Sequence, residues 1–239
     1  MYNYLLVTRF AMRASLSLAL LASAPVLVAA QSTCSSDGQP SAVAVYERFI
    51  NADCDTCWVS APSHVPGPSA LVVDWVVPGR LGDDAPLSAA ATRDALTRLQ
   101  ELNRPIPEQT DSHIADIGRP TAASAQLRVA EGPAFNDYLG TGIRFTHRGS
   151  GAASYQFTML LVESIPAGEE GSPVPRNLVR NSLQGTWLKD DGRTNTSKAW
   201  MENRPMRIPD GAQAERLRLV GWVQDPTGRL VAAAQSVCR

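Results

Sequence analysis

The sequence predicts an α/β unit in the first half of the chain and an antiparallel β-domain in the second. Three observations carry this expectation. The nearly continuous apolar run Ala70-Leu71-Val72-Val73-Asp74-Trp75-Val76-Val77 reads as a strand covered on both faces, as in a parallel sheet. A helical stripe of Ala91, Ala95, Leu96, Leu99 and Leu102 follows it, with Arg93, Arg98 and Glu101 off the stripe. Beyond residue 122 the periodicity is that of strands. It ends in a hairpin signature, where apolar residues 217–223 and 230–234 flank Asp225-Pro226-Thr227-Gly228, with Pro and Gly at the positions a type I turn favours.

The bulk numbers narrow the class. Of 239 residues, 44% are hydrophobic and 19% charged, which is ordinary globular composition. A formal charge of −1 gives no reason to expect nucleic acid or an anionic membrane as partner. Seventeen Gly and seventeen Pro predict many turns and few long helices.

Residues 1–30 read as a signal peptide. Arg9 and Arg13 form a basic n-region, an apolar run starts at Leu16, and Val28-Ala29-Ala30 places small residues for cleavage before Gln31. The run is short and contains Pro25, so no membrane span is expected after cleavage. A periplasmic or secreted location follows. In such a compartment the four cysteines, Cys34, Cys54, Cys57 and Cys238, favour disulfides over a metal site. Four cysteines allow three pairings. Neighbours three apart pair readily across a turn, which favours Cys54–Cys57 and leaves Cys34–Cys238 to join the two ends. Zinc would need a second ligand pair that the sequence does not offer, so no metal and no cofactor is expected.

Taken in order, residues 31–40 are polar and loose. Residues 42–50 read as a strand, because β-branched and aromatic residues dominate and the Cys54-x-x-Cys57 turn follows. A helix opening there is stopped by Pro62, Pro66 and Pro68. Pro78-Gly79 ends the strand at 70–77, Ser88 is the expected cap of the striped helix, and Asn103 and Pro105 end that helix. Strand, turn, helix, strand, helix is the opening order of a thioredoxin-like unit, assigned to residues 31–104. Residues 105–122, polar with Pro105, Pro107, Gly118 and Pro120, read as a linker or crossing loop. Residues 123–239 form the expected antiparallel, sandwich-like domain, with strands at 125–130, 142–147, 155–163 and 183–189.

The chain also resembles a family. Glu47-Arg48-Phe49 followed by Cys54-x-x-Cys57 is similar to secreted bacterial thioredoxin-like proteins of an uncharacterised group, whose site reads Glu-Leu-Phe-Thr-Ser-x-Gly-Cys-x-x-Cys-Pro. Val73-Asp74-Trp75, Leu81-Gly82-Asp83, Pro86, Thr92-Arg93 and Asn177-Leu178-Val179-Arg180 follow the family's order. Trp58 stands where the family has Pro, and none of Pro105, Pro107 and Pro120 matches its cis-proline. The resemblance implies a thiol–disulfide oxidoreductase of the cell envelope that acts on protein thiols and disulfides. Cys54 would attack and Cys57 resolve. The alternative is a binding or assembly module in which Cys54–Cys57 is structural. Asp53 and Asp55 flank Cys54, and negative charge there disfavours a thiolate.

The remaining candidates carry less. His64, His113 and His147 are isolated, and neither a nucleophile elbow nor a phosphate loop is present. Arg176, Arg180 and Arg193 read as a solvated sheet face rather than an anion patch, and Trp75, Trp187, Trp200 and Trp222 as packing. The sequon at residues 195–197 is assigned no role.

Overall fold

A computed structural model describes residues 34–62, 66–118, 125–148, 152–188 and 199–238. The expected leader, His64, Pro120, Arg193 and the sequon lie outside the described residues. In chain order the elements are β1 (Cys34–Ser35), β2 (Ala44–Asn51), α1 (Asp55–Val59), β3 (Ala70–Val77), α2 (Arg93–Glu101) and β4 (Thr110–Asp116). The second half adds β5 (Ala125–Phe135), β6 (Tyr138–His147), β7 (Ser154–Ile165), β8 (Arg176–Leu188) and β9 (Ala199–Arg207). It closes with β10 (Leu217–Gln224), β11 (Leu230–Gln235) and β12 (Val237–Cys238). An antiparallel sheet of five strands runs β12-β1-β5-β6-β9, and a mixed sheet of seven runs β11-β10-β7-β8-β3-β2-β4.

The expected α/β thioredoxin-like domain is not what residues 31–104 form. β2 and β3 do pair in parallel, across a connection that contains α1. They do not make a separate sheet, however. β3 pairs on its other side with β8, at Asp74 opposite Leu178, and the Asn177 N–H donates to Asp74 Oδ2 at 2.7 Å. Strands from both halves therefore share one β-rich, sandwich-like framework, with two α-helices among the described residues. The physical reason lies in α1. It is only five residues long and ends at Ser60, so it cannot cover a sheet face as the longer helices of an α/β fold do. Residues 110–116, inside the stretch read as a linker, form β4, antiparallel to β2 at the end of the seven-stranded sheet.

Side-chain alternation distributes the core. Val129, Ile143 and Phe145 from the five-stranded sheet meet Met159, Leu161, Leu219 and Val223 from the larger one. Trp187 stacks on Phe157 within this layer at 4.5 Å between centroids. On the opposite face of the larger sheet, Ala95 and Leu99 of α2 pack on Val45, Phe49, Val73 and Trp75. A third group, Ile50, Trp58, Val76, Ile165 and Leu178, seats α1. Ile165 is an even number of residues from Leu161 on β7, so α1 lies on the same face as the five-stranded sheet. Each such aliphatic or aromatic side chain stabilises by about 1.5–3 kcal/mol when fully buried. Thr92, not Ser88, caps α2: its hydroxyl accepts the Ala95 N–H at 3.3 Å.

Gly221 on β10 faces the five-stranded sheet with no room for a side chain. A Cβ there would sit 2.7 Å from Val129 Cγ1 and 3.2 Å from Ile143 Cδ1. Gly221→Ala is expected to lower stability by about 1–3 kcal/mol, the usual consequence of overpacking. Urea denaturation measures this, and an unchanged midpoint would refute it.

The two ends meet at the edge of the five-stranded sheet. Cys34 and Cys238 are register partners and are joined by a disulfide. Glu131 is the β5 partner of Cys34, is 3% exposed, and accepts a hydrogen bond from Ser236 Oγ at 2.8 Å. Burial pushes its carboxyl up, against the hydrogen bonds from Ser236 and Leu219 and the charge of Arg218. The folded state therefore holds this proton more tightly than the unfolded chain, whose carboxyl titrates at about pH 4. Stability supplied by the protonated form is present below that pH and is lost as pH rises through the folded value. Glu131→Gln is expected to raise the melting temperature near pH 7 and to gain less near pH 4. Thermal unfolding across that interval tests this; a gain that does not change with pH would overturn it.

Candidate functional site

The Cys54–Cys57 turn is built by β2 and pinned on two sides. Asn51, the last residue of β2, accepts the Asp53 N–H on Oδ1 at 2.9 Å and donates from Nδ2 to the Pro107 carbonyl at 2.7 Å. The Asp53 carboxylate accepts the N–H groups of Arg80 at 2.8 Å and Leu81 at 3.2 Å. A Cβ at residue 79 would lie 2.2 Å from Asp53 Oδ1, so only glycine permits this closure. Asp53, which flanks the first cysteine, thus ties the turn to the loop after β3.

Cys54 and Cys57 form a disulfide with Cα atoms 5.3 Å apart, and both are half-buried. Trp58 is buried behind them, and its Nε1 donates to the Glu170 carbonyl at 2.7 Å. The C-terminal end of α1 is closed by a residue from the other half of the chain. Arg176 Nη2 donates to the carbonyls of Cys57 at 3.4 Å, Trp58, and Ser60 at 2.8 Å. Its Nε donates to Ser172 Oγ at 3.1 Å, and the guanidinium stacks on the Trp58 ring, 5.2 Å from the centroid. A cation on the free carbonyls of a helix end is favourable both as hydrogen bond and as charge.

A buried ion cluster lies under this helix end. Asp74 on β3 is fully buried and accepts a hydrogen bond from Arg48 Nη2 at 2.9 Å. Arg48 Nε lies 2.5 Å from Asp74 Oδ1 but off the hydrogen-bonding direction, so that contact is ionic. Arg176 Nη1 is 3.9 Å from the same oxygen. Two guanidiniums therefore share one carboxylate. Burial pushes the Arg176 guanidinium down, Asp74 pushes it back up, and Arg48 adds to the downward push. Arg176 remains charged, as arginine does in proteins.

Above the cluster is a cleft of about 380 Å³, walled by Arg48, Cys57, Ser60, Thr110, Ser112 and Arg176, among others. Asp111 also lines it, and the Arg104 guanidinium neutralises that carboxylate through contacts of 2.6 and 2.5 Å. Hydrogen bonding to Arg104 holds the Asp111 carboxyl below its ordinary range against a partial burial penalty. Three exposed apolar side chains border the same turn: Val59 on α1, Leu81 beside the Asp53 contact and Ile106 beside Pro107, at 45%, 54% and 54% exposure. Among the described residues there is no cis peptide bond, so no cis-proline faces the disulfide.

The other sequence candidates fall elsewhere. His113 on β4 and His147 on β6 lie in different sheets, and burial pushes the His113 imidazole down. Arg176 and Arg180 are not a solvated face: Arg176 is buried, and Arg180 Nε binds Glu163 Oε2 at 2.6 Å. Arg48 and Asp74 were visible only as part of a family-like string, and nothing local in the sequence marks them as partners. Ligand atoms of Cys34, Cys238 and Glu131 lie within 4.8 Å of one another, but with the sulfurs bonded together neither cysteine offers a thiolate to a metal.

These features define a β-rich protein stapled by two disulfides, one of them set beside a cationic cleft. No family model matches the chain, and no curated protein matches it. Among solved structures it is similar to HBP35 of Porphyromonas gingivalis, with a TM-score of 0.46 and 10% identity, over 82% of this chain and 74% of that one.

Proposed function

We propose that this is an exported binding module of the periplasm or extracellular space, in which the cleft beside Cys54–Cys57 receives a partner and the disulfide braces its wall. The observation that carries this reading is the construction of the wall. Arg176 from β8 caps the helix that holds Cys57, while Arg48 and Arg176 are both held at the cleft by the buried Asp74. Burying charge is costly unless it is paired and hydrogen-bonded, and this arrangement presents it at a cleft rather than sealing it in the core. The exposed Val59, Leu81 and Ile106 add apolar contact area around the Cys54–Cys57 turn.

A second reading, thiol–disulfide exchange on protein substrates, is favoured by the half-buried Cys57 in the cleft wall. Against it stand the five-residue helix, the acidic flanks Asp53 and Asp55, and the lack of a cis-proline among the described residues. The reduction potential of Cys54–Cys57 decides between the two. It is to be measured in the intact protein, with each disulfide followed separately by thiol labelling and peptide mass. A bracing disulfide is expected below about −300 mV, whereas a value between about −270 and −120 mV would replace the binding reading with exchange.

A further inference from the structure

We propose that the cleft above Arg48 recognises a carboxylate carried by an extended peptide. This deepens the binding reading and rests on it. Arg48 and Arg176 bring two positive charges to the cleft floor, Asp74 returns one negative charge, and Asp111 on the wall is already neutralised by Arg104. One formal positive charge remains, held in a partly desolvated place where an anion interacts more strongly than it would in open water.

The committed hydrogen bonds say where that charge is usable. Arg176 spends Nε and Nη2 on Ser172 and the α1 carbonyls. Arg48 spends Nη2 and the Nε edge on Asp74, and its Nη1 has no partner among the described residues. The exposed Thr110 and Ser112 stand across from it on the same cleft, with hydroxyls able to donate to a second carboxylate oxygen. A carboxylate fits this set, because a guanidinium N–H and hydroxyl donors match its two acceptor oxygens.

The fold says why the carrier is a peptide. Thr110 and Ser112 belong to β4, the terminal strand of the seven-stranded sheet, which pairs only with β2 among the described residues. The Ser112 N–H is already taken by Asp111 Oδ1 at 2.8 Å, and the remaining outer backbone groups of this terminal strand are the kind of edge to which an extended chain adds by main-chain hydrogen bonding. A volume of about 380 Å³ is within the size of small recognition sites, roughly 300–1,000 Å³.

The test is a titration of the intact, oxidised, isotope-labelled protein at constant ionic strength, read from the backbone amide signals of Cys57, Thr110 and Ser112. Three probes are used: acetyl-trialanine with a free C terminus, acetyl-Ala-Glu-Ala amide, and the neutral acetyl-trialanine amide. Saturable shifts from a charged peptide, at least tenfold tighter than from the neutral one, are expected. Which charged peptide binds tells a chain terminus from an acidic side chain. Equal response to the neutral peptide would leave a binding cleft but overturn carboxylate recognition. No response to any peptide would overturn both this inference and the binding reading. Arg48→Lys keeps the charge at Asp74 but loses the planar donor fork, and it is expected to weaken binding about tenfold. Ser112→Ala, on an exposed position, serves if Arg48→Lys does not fold.

Discussion

Replacing Cys34 and Cys238 together by serine is expected to destabilise the protein by about 3–5 kcal/mol. The two residues are separated by 204 positions, and their bridge closes nearly the whole described chain into a loop. On the chain-entropy model a loop of that length restricts the unfolded state by about 5 kcal/mol, and measured effects are commonly smaller. The bridge also holds β1 against β12, two-residue strands that meet each other only at Cys34–Cys238 and Ser35–Val237, with β1 alone paired onward to β5. Strands that short keep little pairing of their own once the crosslink is gone. The same exchange at Cys54 and Cys57, whose loop is only three residues in separation, should cost about 2 kcal/mol on the same model. Urea unfolding of the two double variants against the parent checks both the size and the order. Equal losses would show that loop length is not what sets them.

Asp74→Asn should be nearly as damaging, at about 3–5 kcal/mol, although it removes no volume. Asp74 is fully buried and answers Arg48, the Asn177 N–H and, at longer range, Arg176. An asparagine can still accept from Asn177, but it leaves two buried guanidiniums facing each other without a counter-charge. Breaking one partner of a buried ion cluster is the costly operation, more so than replacing the whole cluster by apolar groups. Arg48→Met placed on top of Asp74→Asn removes one of the stranded charges. It is therefore expected to cost less than it does in the parent, giving a coupling energy above about 1 kcal/mol in a double-mutant cycle. Additive losses would mean that Arg48 and Asp74 do not act as a pair.

The buried polar residues of β2 have partners that no local pattern in the sequence records. Glu47 and Arg48 are adjacent and point to opposite faces, yet both are buried. Glu47 takes two hydrogen bonds from Arg98, at 2.9 and 2.8 Å, and one from Trp75 Nε1 at 3.1 Å, while Arg48 takes Asp74. Burial pulls the Arg98 guanidinium down, and the hydrogen bonds and charges of Glu47 and Glu101 more than restore it, so it ends above its ordinary value. In the stripe that predicted α2, Arg98 was an outward residue. Its partner Glu47 lies 51 positions away, and no local period records that.

What the sequence determined by itself was local. The apolar run at 70–77, the strand before the first cysteine pair and the hairpin at Asp225-Pro226-Thr227-Gly228 are all present, because burial period and turn chemistry act over a few residues. The Gly228 N–H closes that turn on the Asp225 carbonyl at 2.9 Å. The tertiary structure alone decided which strands became neighbours. An α/β domain and a separate β-domain were expected, but β8 joins β3 and places both halves in one sheet, through contacts of long sequence separation that a strand pattern cannot encode. β4 escaped notice because a terminal strand faces water on its alternating side chains and so reads as polar connection. The cleft escaped for the same reason as the sheet: Arg48, Cys57, Thr110 and Arg176 come from four separate elements, and only the packing of those elements sets them around one space.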